Sequence, residues 1–66
     1  MEIIVNHEKK LVPEIISLDT LLSEMKIIKQ GIAVAINNQI ITKNDWDTTE
    51  LKENDFVTII QATQGG

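Results

Sequence analysis

The sequence predicts an α+β fold: a mixed sheet of about five strands with one helix packed across one face. Three observations carry this. β-branched apolar runs stand near both ends, Ile3-Ile4-Val5 and Phe56 to Ile60. Leucines recur at helical spacing from Leu18 to Leu22, and the apolar block Ile32 to Ile36 stands between turn-forming residues. The chain has 66 residues, room for one domain, and its 42% hydrophobic content is enough for a core.

Residues 2–6 and 10–16 read as two strands, with the polar Asn6-His7-Glu8-Lys9 as the turn between them. Pro13 then falls on an edge strand, where its missing N–H costs nothing. Ser17 can cap a helix whose apolar positions are Leu18, Leu21, Leu22, Met25 and Ile28. Asp19 near the start and Lys26 and Lys29 near the end suit the helix dipole, and Gly31 is the expected stop. Ile27 lies on the opposite side of this helix.

Residues 32–37 read as the third strand, Asn38-Gln39 as a tight turn, and 39–42 as a short fourth strand. Lys43 to Trp46 fits one helical turn. Asn54 is suited to a left-handed turn position, after which residues 56–61 form the last strand. The domain thus spans 1–61, and 62–66 is a flexible C-terminal tail ending in Gly-Gly.

One helix covers one face of a sheet, so alternation decides which residues remain open. The pairs Ile3/Val5 and Val57/Ile59 are the more purely apolar and are assigned to the helix side. Ile4, Phe56 and Ile60 then form an uncovered apolar patch, the signature of a protein interface.

Several function classes lose support. With no cysteine, there is no disulfide framework, thiolate metal site or cysteine nucleophile, which suits the cytoplasm. The chain shows no export signal and no apolar run approaching the roughly 20 residues of a membrane span. Net charge is −4 with no arginine, the reverse of a nucleic-acid binder, and five of the acids lie in residues 31–66 against two lysines. His7 reads as a solvated turn residue without a catalytic companion, and Trp46 as a packed edge of the core whose indole N–H needs a partner. Asp45, Asp47, Glu50, Glu53 and Asp55 lack the glycine and spacing of an EF-hand, so no metal ligands are assigned.

The run Ala35-Ile36-Asn37-Asn38-Gln39-Ile40-Ile41, the later Trp46, the strand Phe56 to Gln61 and the terminal Gln64-Gly65-Gly66 resemble the ThiS family, the sulfur carriers of thiamin biosynthesis. The likeness extends over nearly the whole chain, with Asn54-Asp55 where Gly-Asp is common. It implies the ubiquitin-like β-grasp fold, which agrees with the element order read independently from the residues.

It also implies that the chain is a carrier and not an enzyme, with no catalytic residue or bound cofactor of its own. A ThiF-type adenylating enzyme would use ATP and Mg to activate the Gly66 carboxylate. A persulfide sulfur donor would convert it to a thiocarboxylate, and thiazole synthase would take the sulfur. Gly65 and Gln64 would be presented to the partner with Gly66. Glycine suits this because a chain without Cβ atoms passes through a narrow channel. The five residues 62–66 reach at most about 17 Å. Three other readings stay open: the small subunit of molybdopterin synthase, a ubiquitin-like modifier, and a β-grasp interaction module that uses no terminal chemistry.

Overall fold

The computed structural model describes residues 1–61; the tail 62–66, with Gln64, Gly65 and Gly66, lies outside the described residues. The elements run β1 (Glu2–Val5), β2 (Glu8–Leu11), α1 (Leu18–Glu24), β3 (Ile32–Ile36), β4 (Gln39–Ile41), a 3-10 turn (Lys43–Asp45) and β5 (Phe56–Gln61). They form a five-stranded sheet in the order β2-β1-β5-β3-β4. β1 and β5 are parallel and the other neighbours antiparallel, so the sheet is mixed as expected.

On the closed side the side chains alternate as expected. Ile3, Val5, Val34 and Val57 turn inward and are buried against Leu18, Leu21 and Leu22 of α1. Burying each such side chain contributes roughly 1.5–3 kcal/mol. A seven-residue helix has no stability by itself, so this packing is what holds α1. Its start is as expected: Ser17 Oγ accepts the Thr20 N–H at 3.1 Å.

The helix is shorter than its apolar spacing suggested, and the reason is local. Lys26 adopts a left-handed φ of 59°. Its N–H donates to the Ser23 carbonyl and that of Ile27 to the Leu22 carbonyl, the two bonds of a Schellman stop. Ile27 thereby packs against the core, whereas Ile28, assigned to the buried stripe, is 72% exposed. Lys26 and Lys29 lie beyond the helix rather than in its last turn. Gly31, with φ 73°, precedes β3 instead of ending α1.

The second strand and both hairpin turns also differ from expectation. β2 occupies 8–11, not 10–16, because Asn6 and His7 alone make the turn, with φ of 50° and 71°. Two consecutive positive φ values are the signature of a two-residue hairpin loop that matches the twist of its strands. Pro13 follows β2 rather than lying in it, and Ile16 is buried outside any strand. The β3–β4 turn is likewise Asn37-Asn38, one residue earlier than predicted, with φ of 52° and 69°. Asn54 does take the left-handed conformation, at φ 69°.

α1 does not close the inner face alone. The segment after β4 lays Trp46 and Leu51 into the same core, each 3% exposed. The Trp46 indole N–H donates to the Ile41 carbonyl at 2.9 Å, meeting the requirement of a buried indole and covering an acceptor on the edge strand β4.

Candidate functional site

The candidate site is the strand β5, which leads to the tail, together with the sheet face it shares with its neighbours. The start of β5 is fixed by a small knot. The Asp55 carboxylate accepts the Lys52 N–H at 2.7 Å and the Asn37 Nδ2 donor at 3.1 Å, while Asn37 Oδ1 accepts the Phe56 N–H at 3.0 Å. The Ile4 N–H donates to the Asp55 carbonyl at 2.9 Å, locking β1 to the same point.

From there the register sets the open face. Ile4 lies beside Phe56, Ala35 beside Thr58, and Ala33 beside Ile60, all on the side away from α1. Ile4 and Phe56 are half-buried and Ile60 is 56% exposed. The structure thus places the three residues singled out from alternation on one face of the sheet, Ile4 beside Phe56 and Ile60 four residues further along β5. It adds Ile40, beside Ala35 and 64% exposed, and Leu11, beside Glu2 on the far edge. Ile40 was legible in principle, since Ile32, Val34 and Ile36 alternate with Ala33 and Ala35 along β3.

His7 belongs to this face as well. Its ring meets Phe56 edge-on, with centroids 5.2 Å apart and planes at 77°. It is exposed, as a turn residue should be, but it also forms one wall beside Phe56. Nothing in the residue pattern signals this, because the contact depends on the hairpin register.

One concavity adjoins the knot at the start of β5. A cavity of about 230 Å³ is lined by Ile36, Asn37, Lys52 and Asp55 among others, at the start of β5. Five strand residues further on, roughly 17 Å away, β5 ends at Gln61. That cavity is therefore at the opposite end of β5 from Gln61. Among the described residues, no cluster of three or more His, Asp or Glu is placed to hold a metal ion, and no helix is long and apolar enough to cross a membrane. What the described residues offer here is a partly apolar sheet face beside the strand that ends at Gln61.

Comparison with known proteins agrees with this architecture. No curated protein matches the chain at a significant level. The crystal structure of the thiamine biosynthesis protein ThiS from Geobacter metallireducens superposes with a TM-score of 0.87 at 26% identity, covering all of both chains. A solution NMR structure of a thiamine biosynthesis protein from the same organism gives 0.81 at 26% identity, covering 100% of this chain and 88% of that one. The sequence model of the ThiS family matches residues 1–66. The chain belongs to the ThiS family, the β-grasp sulfur carriers of thiamin biosynthesis.

Proposed function

We propose that this chain carries sulfur on the carboxyl group of Gly66 and is acted upon by partner enzymes. The observation that carries the reading is the family match through residue 66, which takes in Gln64-Gly65-Gly66. An α-carboxylate is an anion at neutral pH and a poor electrophile, since its pKa is roughly 3.5. Activation is therefore the first step. A carboxylate oxygen attacks the α-phosphorus of ATP, pyrophosphate leaves, and the acyl adenylate makes the Gly66 carbonyl carbon electrophilic. ATP and Mg are held by the ThiF-type partner, where the metal offsets phosphate charge.

Sulfur arrives next. The outer sulfur of a persulfide attacks the carbonyl carbon and expels AMP, and a thiol then cleaves the sulfur–sulfur bond to leave the thiocarboxylate. Thiazole synthase takes that sulfur. Ile4, Phe56 and Ile60 form the docking patch for the adenylating enzyme, which holds the folded body outside while Gln64, Gly65 and Gly66 enter the site. The acidic character of the chain, −4 overall, suits a partner surface of opposite sign and speeds encounter.

The test is ATP–pyrophosphate exchange with the ThiF-type enzyme of the same organism. Exchange is expected only when this chain is present, and is lost on deleting Gly66. Exchange that persists without Gly66 contradicts activation at this terminus. An interaction module without terminal chemistry would bind its partner equally well with or without Gly66.

A further inference from the structure

β5 is held unevenly along its length. β3 accompanies it from Val57, beside Ile36, to Gln61, beside Ile32, but β1 pairs only with Phe56 and Val57 before the chain turns away at Asn6. The next rung on the β1 side is made by a side chain. Asn6 Oδ1 accepts the Ile59 N–H at 2.8 Å, while the Asn6 N–H donates to the Val57 carbonyl at 2.9 Å.

Asn6 thus serves β5 as one more residue of β1, although its φ of 50° already belongs to the turn. Few residue types meet both demands. The position needs tolerance of left-handed φ together with a short side chain that presents an acceptor to backbone; Asn and Asp supply both, and glycine only the first.

We infer that Asn6 is a positioning residue for the terminal chemistry, fixing through the Ile59 N–H the last stretch of β5 up to Gln61, from which the chain leads on to Gly66. This rests on the carrier reading above. From Gln61 to Gly66 the chain reaches at most about 17 Å, so the position at which β5 holds Gln61 limits where the carboxylate can go. Adenylation needs the attacking oxygen aligned within about 3–3.5 Å of phosphorus, and misplacement by roughly 1 Å lowers the rate severely. Asn6 is not itself one of the patch residues Ile4, Phe56 and Ile60, so its loss is expected to act on alignment rather than on encounter.

The experiment compares the unaltered chain with Asn6→Gly and Asn6→Asp in ATP–pyrophosphate exchange with the ThiF-type enzyme, alongside amide hydrogen exchange at Ile59. In Asn6→Gly the Ile59 amide exchanges faster and kcat falls about tenfold, with KM for the chain nearly constant. Asn6→Asp, which keeps the acceptor, restores both. Unchanged kcat in Asn6→Gly despite a freed Ile59 amide overturns the inference. So does an equal loss in both variants, or a loss confined to KM, which would place Asn6 in the docking surface. If Asn6→Gly does not fold, Asn6 is a determinant of the fold and the positioning role is overturned. Absence of exchange with the unaltered chain overturns the carrier reading, and this inference with it.

Discussion

The two faces of β5 carry similar side chains and meet opposite fates. Val57 faces α1 and is fully buried, whereas Ile60, three residues on, faces away and is 56% exposed. Hydrophobicity alone does not separate them; the pleat does, together with how much chain is left to cover a sheet. This chain spends its covering material on one side. α1 and the segment carrying Trp46 and Leu51 close the inner face. The outer face, with Ile4, Phe56, Ile40 and Ile60, retains apolar surface that costs solubility, which the proposed docking to a partner would use.

The sharpest way to break this comparison is one substitution made on each face. Val57→Asp places an unpaired carboxylate in the core and is expected to cost about 4 kcal/mol or more, enough to abolish a cooperative thermal transition in so small a domain. A stable Val57→Asp would mean that the inner face is not closed. Trp46→Phe removes the donor to the Ile41 carbonyl and is expected to cost about 1–2 kcal/mol in urea unfolding, with no effect on activation. A defect in activation there would move Trp46 from the core to the docking surface.

On the outer face, Ile60→Asp should leave stability within about 0.5 kcal/mol while weakening activation by the adenylating enzyme about tenfold. A large drop in thermal midpoint with normal activation of the folded fraction would invert the assignment of faces. The smallest effect concerns the helix that closes the inner side. Lys26→Gly relieves the left-handed strain at the Schellman stop and should raise stability by about 0.5–1 kcal/mol in the same urea assay. A loss of stability would show that Lys26 contributes contacts that outweigh its backbone strain.

Which parts were legible in the sequence follows from the same physics. β5 and the assignment of Ile3, Val5 and Val57 inward could be read because strands with one buried face alternate strictly. β2 could not. It is an edge strand with Glu8 and Lys9 exposed, so polar residues that belong to it look like turn. The end of α1 was hidden because apolar spacing continues to Ile28, while the stop depends on Lys26 accepting a conformation usually left to glycine. Both hairpin turns rest on asparagine pairs or an Asn-His pair in left-handed φ, which polarity alone does not locate to the residue. Alternation pointed only to a protein interface, and the chemistry assigned to Gly66 rests on family likeness.

The central claim is that Gly66 carries the sulfur, and intact-mass spectrometry tests it most directly. The chain is incubated with the ThiF-type enzyme, ATP, Mg and a persulfide donor. The account predicts a mass gain equal to sulfur replacing one oxygen, localised to the C-terminal residue by fragmentation and absent when ATP is omitted. An unchanged mass, or sulfur found at any other residue, contradicts it.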